Sequence, residues 1–219
     1  MANIFQMLAK LASSNTGENV ELKGDHSGAL LVSHSMPKYS DLTRRGNGWT
    51  IKTATAFAPD AAEPAVTARL ELFNNSSSAQ PLVMVIKDLF AFQLLATAAT
   101  QTYAIWAMVT TQKVAPTNTA LVMASLSGKT SITTVGGGPI LSAIDTTVIA
   151  NGWRPYGAVQ AWGTAAATPG NAWSADVDGG LIVPPGCSFC MTIAGSLATA
   201  STFRCGVTFY LEPMKLATV

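Results

Sequence analysis

The sequence predicts an all-β protein, a jelly-roll-like antiparallel β-sandwich preceded by a short N-terminal helical arm. Three observations predict it. Apolar residues come in short runs rich in Thr, Ala and Val, several of them alternating with polar residues as a half-buried strand requires. Turn-forming clusters (APTN, SGK, GGGP, NGWRP, TPGN, VPPG) separate the runs throughout. No repeat recurs at a period of roughly 20–50 residues, which excludes a propeller or solenoid.

Composition narrows the function classes. Of 219 residues only 11% are charged and 48% are hydrophobic. A disordered chain needs the reverse balance. Lys and Arg total 13 against 12 Asp and Glu, a net charge of +1. That leaves no electrostatic footprint for direct nucleic-acid binding. A free monomer usually carries about 25–35% charged residues on its surface. So little charge therefore implies that part of the surface is buried against copies of the chain or a partner.

The elements follow in order. Residues 1–19 form the expected arm: Ile4, Phe5, Leu8 and Leu11 recur at helical spacing, with Met7 beside them. So short a helix is marginal alone and must pack on something. These four residues are the candidate partner-binding set. The arm has Lys10 inside its apolar part, the wrong order for a secretory signal, so the expectation is a protein used without Sec export. Residues 20–219 form the expected β-domain. Strands are predicted at 20–23, 29–32 and 49–57. Residues 66–72 are the clearest half-buried strand, with Val66, Ala68, Leu70 and Leu72 on one face and Thr67, Arg69 and Glu71 on the other. The uncharged stretch 89–112 is long enough to span a membrane, but its middle is TAATQT, so it reads as two strands joined by a polar turn. Segments 89–99 and 117–126 have helical propensity, yet their flanks are β-type and strands are preferred. Further strands are predicted at 129–135, 140–150, 156–162, 178–184, 188–195 and 203–213, and no helix beyond the arm.

The search for chemistry finds no catalytic motif, and no enzyme is predicted. His26 and His34 lie eight apart with no metal-ligand pattern around them. Cys187 and Cys190 form a CxxC, with Cys205 further on, but residues three apart in a strand point to opposite faces, so the expectation is buried thiols and no zinc. Ser127-Gly128-Lys129-Thr130 matches the end of a phosphate loop, but Met123 stands where its first glycine belongs. Asp176 and Asp178 begin like a calcium loop that lacks its closing glutamate. Arg44 and Arg45, with Lys38, are the only basic cluster and read as a solvated loop. No cofactor is expected. Trp153, Trp162 and Trp173 fall in the turn-rich stretch 151–175, where they would serve as packing or, if exposed together, as a sugar-stacking face.

The segments DVDGGLIVPPGCSFCMTIAG and FRCGVTFYLEP, and the earlier GALLVSHSMPKYSDLTRRGNGW, resemble parts of tailed-bacteriophage virion structural proteins. The resemblance covers about half of the chain and rests on turn and strand signatures. It implies a jelly-roll structural component of a phage particle, most of all a capsid cement or decoration protein. It further implies a homo-oligomer, with a trimer favoured, bound to the major capsid protein lattice at the capsid surface of the virion after synthesis in the host cytoplasm. No membrane is implied. The alternative within the family is a tail or fibre module that binds a receptor or carbohydrate.

Overall fold

A computed structural model describes residues 39–77, 79–95, 101–111, 114–149, 152–162, 172–195 and 201–213. The chain divides into two compact units, Met1–Ser40 and Asp41–Val219. Nearly all of the first lies outside the described residues, including Ile4, Phe5, Leu8, Leu11, His26, His34, Lys38 and the strands expected at 20–23 and 29–32.

One short helix, α1 (Ser40–Arg44), precedes the strands. Its five residues are too few to show a helical period, which is why the sequence reading missed it. Gly46, at φ 77°, closes it: the Gly46 amide donates to the Thr43 carbonyl and the Asn47 amide to the Leu42 carbonyl. The strands are β1 (Gly48–Lys52), β2 (Thr67–Ala68), β3 (Leu70–Asn74), β4 (Leu82–Leu95), β5 (Gln101–Thr111), β6 (Val122–Ser125) and β7 (Ile132–Thr133). They continue with β8 (Ile140–Ala143), β9 (Thr146–Thr147), β10 (Arg154–Trp162), β11 (Ala172–Val183), β12 (Cys187–Gly195) and β13 (Thr202–Pro213). The protein is all-β, as the sequence predicts.

Two large sheets form. Sheet I has the order β11-β4-β13-β1-β6-β7 and sheet II the order β10-β5-β12-β3-β8, while β2 and β9 pair separately. All pairings are antiparallel. The long strands pair in a nested way: β1 with β13, β3 with β12, β4 with β11, and β5 with β10, alternating between the sheets. That is how a jelly roll is wound.

Strand alternation fills the space between the sheets. Sheet I contributes Ile51, Leu89, Val207 and Phe209, and sheet II contributes Leu72, Ile105, Phe189 and Ile193, all essentially solvent-free and in one cluster. Phe203 joins the two sheets, with Tyr103 at 4.6 Å and Trp173 at 5.9 Å between ring centroids, both edge-on.

Sheet II is also covered on its outer face. Ala68, Val148 and Trp153 lie over Met108 and Cys190, and the Trp153 Nε1 donates to the Ala65 carbonyl at 2.9 Å. As a result β3 is buried along its whole length, Glu71 included. This corrects the expectation of one half-buried strand at 66–72: the segment is split at Arg69 between β2 and β3, Val66 and Thr67 are exposed, and Glu71 is buried where Ser188 Oγ donates to its Oε1 at 2.6 Å. An ionic clasp fastens that layer. Arg69 holds Asp60 at 2.9 Å and Asp145 at 2.8 Å and lies over the Phe57 ring, while Thr192 Oγ1 donates to Asp60. Two boundaries also differ from expectation. The strand predicted at 49–57 ends at Lys52, leaving Phe57 as an isolated bridge to Phe203. The stretch 172–177, read as turn-rich, is the first half of β11 because it pairs with β4.

Candidate functional site

The outer face of sheet I differs from that of sheet II: no described strand packs on it. Among the described residues α1 meets it, where Thr43 Oγ1 donates to Tyr210 Oη at 3.2 Å. Inward residues of β4 (Met84, Ile86, Leu89, Ala91) are solvent-free, while outward Val85, Phe90 and Phe92 are half-buried. An apolar residue at nearly every position is the pattern of a strand covered on both faces. Here the second cover is missing from the described residues.

The register sets the face out row by row. Phe92 stands between Ala172 and Arg204, and Phe90 between Ser174 and Gly206. A side chain at Gly206 would run into the Phe90 ring and the Ile51 carbonyl, so glycine there is what lets that ring lie over β13. Phe90, Phe92, Ala172, Trp173 and Ser174 line a depression of about 200 Å³. The next row is Asp176, Asp88, Thr208 and Thr50. A bulge turns Lys87 outward as well, because the register jumps between Asp88 and Ile86 on both sides. Beyond it Val85 stands between Ile182 and Tyr210, and Val83 beside Glu212. Ile182 is 53% exposed. Val122 and Leu126 carry the apolar surface onto β6.

Charge on this face is ordered along the strands. Lys52 sits 5.7 Å from the Phe92 ring centroid, and Arg204 is cross-strand to Phe92, so one end is cationic. Lys87 pairs with Asp88 at 3.0 Å in the middle, and that hydrogen bond, aided by the charges of Asp88 and Asp176, raises the Lys87 pKa against a smaller effect of burial. Glu212 marks the other end. The described part of this face combines aromatic and aliphatic area with a polar frame.

The motifs singled out in the sequence land elsewhere. Cys187 packs at the margin of the inter-sheet core, Cys205 is inside it, and Cys190 faces outward from sheet II under Trp153. Three thiols on different faces cannot share an ion. No group of three His, Cys, Asp or Glu side chains able to hold a metal occurs among the described residues. Burial pushes the Cys205 thiol far up, and burial together with the charge of Glu71 does the same to Cys190. An Ellman assay on the folded protein is therefore expected to label neither of them, and to label both after denaturation. The sign of the pH effect follows: the native state keeps these protons, so its stability is full below the ordinary thiol pKa of 9.0 and declines as pH rises above it. Equal labelling of all three thiols without denaturant would contradict this placement.

Lys129 donates to the Arg45 carbonyl at 3.1 Å from a turn with Gly128 at φ 74°, and β7 follows it, not a helix, so no phosphate cradle forms. Asp176 and Asp178 flank the β11 bulge, where Asp178 takes φ 47° and Gly179 φ 81°. Trp153 is buried outside sheet II and Trp173 between the sheets, so these two do not share an exposed face. The side chain of Trp162 lies outside the description. No helix among the described residues is long and apolar enough to cross a membrane. No protein-family model matches the chain, and no curated protein is significantly similar to it.

Proposed function

We propose that this chain is a structural subunit of a bacteriophage particle, a cement or decoration protein that self-associates and stabilises the capsid shell. One observation carries the reading: the outer face of sheet I, apolar at its centre and bare of a second strand layer among the described residues, in a chain with only 11% charged residues. Such a face exposed on a monomer costs solubility, and covering it returns about 25 cal/mol per Å² of apolar area. Repeated over many copies on a lattice, modest contacts add up to a durable shell. The nested strand pairing supports the same reading, since that winding makes a rigid block whose faces serve as contact surfaces. The resemblance puts the oligomer at three copies and the anchor to the shell in Ile4, Phe5, Leu8 and Leu11. The alternative as a carbohydrate-binding tail module rested on a tryptophan platform that Trp153 and Trp173 do not form.

Native mass spectrometry of the full chain tests the reading. A metal-free multimer is expected. A monomer, with or without zinc, overturns self-association. Deleting residues 1–14 is expected to weaken binding to the shell while the circular-dichroism spectrum of the β-domain is kept; undiminished binding removes the arm from the mechanism.

A further inference from the structure

We infer that the second layer over sheet II is a lid that opens while the sandwich stays folded, with Arg69 as its latch. The lid comprises residues 65–68 with β2, the strand β9, Val148 and Trp153. The inference goes beyond the proposed function and does not rest on it.

The lid is bonded to itself. Its strands β2 and β9 pair with each other and join neither large sheet. The Val148 amide donates to the Val66 carbonyl at 2.7 Å, and Trp153 Nε1 donates to the Ala65 carbonyl at 2.9 Å. These bonds run within the lid and survive its opening. Its apolar contact with sheet II among the described residues is one small cluster, Ala68, Val148 and Trp153 over Met108 and Cys190, separate from the inter-sheet core. A two-stranded pair with so little packing belongs to the low-stability end of a fold. Two buried polar atoms, Thr146 Oγ1 in the lid and Arg69 Nε at its hinge, have no hydrogen-bond partner among the described residues, which raises the cost of the closed state.

The latch joins this layer to a post fixed on sheet II. Asp60 is that post: its amide donates to the Ile193 carbonyl at 2.9 Å and its carbonyl accepts from the Gly195 amide at 2.8 Å, while Thr192 Oγ1 donates to its Oδ2 at 2.8 Å. Arg69 stands where the chain leaves sheet II, its amide donating to the Met191 carbonyl at 3.0 Å. Its Nη2 donates to Asp60 Oδ1 at 2.9 Å and its Nη1 to Asp145 Oδ1 at 2.8 Å. Asp145 is the corner between β8 and β9, at φ 52°, a conformation that side chains rarely adopt. The guanidinium therefore holds that corner down against the post. Thr110 Oγ1, donating to the Ile149 carbonyl at 2.7 Å, is a second tie. Lifting the lid bares Met108 and Cys190 on the outer face of sheet II and leaves Cys205 sealed in the inter-sheet core.

Thiol labelling of the full chain reads the two events apart. Iodoacetamide is applied for hours, far longer than an Ellman assay, at urea concentrations below the unfolding midpoint, and peptide masses give the rate at each cysteine. Cys190 is expected to react about 10-fold faster than Cys205 or more, at a rate that urea hardly changes, whereas the Cys205 rate climbs with urea because it waits for global unfolding. Asp145→Asn keeps the left-handed corner, which Asn adopts as readily as Asp, and removes the charge; it is expected to speed Cys190 about 3-fold. Arg69→Met is expected to speed it about 10-fold or more. Circular dichroism checks that each variant folds, and the Cys205 rate is expected to change less in both. One common rate and urea dependence for Cys190 and Cys205 overturns the inference, since the layer then opens only with the whole domain. A Cys190 rate that neither substitution changes overturns the latch.

Discussion

Replacing Phe203 with alanine lowers the unfolding free energy by about 3–5 kcal/mol, a large part of what a domain of this size possesses. The side chain is wholly buried on β13 and touches rings from both sheets, Tyr103 of β5 and Trp173 of β11. Its backbone exchanges a pair of 2.9 Å hydrogen bonds with Phe57, so the surrounding strands cannot close in on the vacated space. The lost area and the residual cavity therefore add. A urea titration checks it: the midpoint falls with the slope unchanged. Phe203→Leu keeps most of the volume and is expected to lose about half as much. A loss under about 1 kcal/mol for the alanine variant would mean that the two sheets do not meet at this ring.

Asn74→Asp is expected to destabilise at least as much as a large cavity, although it changes the shape of the side chain hardly at all. Asn74 is wholly buried at the end of β3 in sheet II. Its Nδ2 donates to the carbonyls of Leu82 at 2.7 Å and Val183 at 2.9 Å, the ends of β4 and β11 in sheet I. Its Oδ1 accepts from the Ser76 amide. One amide thus ties both sheets together where the chain turns between them. An ionised carboxylate has no proton to give and turns negative charge toward two carbonyl oxygens, at a cost of about 3 kcal/mol or more. The introduced carboxyl regains one donor when protonated. Its native pKa is raised, so the penalty is complete above that value and shrinks as pH falls toward the unfolded-state value of about 3.9. Urea midpoints at pH 7 and pH 4 measure this, and a deficit that does not narrow at pH 4 would refute it.

Much of the fold was legible because the strands carry local signals. The stretch 89–112 holds two strands, β4 and β5, as expected, while the turn expected between them lies outside the described residues; the PPG turn separates β11 from β12. Where it is described, 89–99 is strand β4, and 117–126 contributes Val122–Ser125 to β6, each pairing on two sides; residues 96–99 lie outside the described residues. The first half of β11 was missed because AWSADV carries no strong strand signal of its own; its pairing with β4 decides it. Residues 66–72 misled for the opposite reason. Their alternation does not mark one strand: the chain breaks at Arg69, Ala68 packs outside sheet II while Leu70 and Leu72 enter the inter-sheet core, and Glu71 is buried because Ser188 supplies its hydrogen bond.

The candidate site was half visible. The sequence pointed to association through its low charge, and Phe90 and Phe92, interleaved with Leu89 and Ala91, already marked a strand with two apolar faces. The tryptophans drew attention instead, and tertiary packing sent Trp153 and Trp173 to separate clusters.

By itself the sequence determined the all-β class, many of the turns and the divergence of the CxxC sulfurs, because each depends on composition or on neighbours within a few residues. Only the tertiary structure decided which sheet carries a second layer among the described residues, and which charges stand at the two ends of the other. Those depend on pairing between strands as far apart as β1 and β13, and no local period encodes the partner a strand will find across the chain.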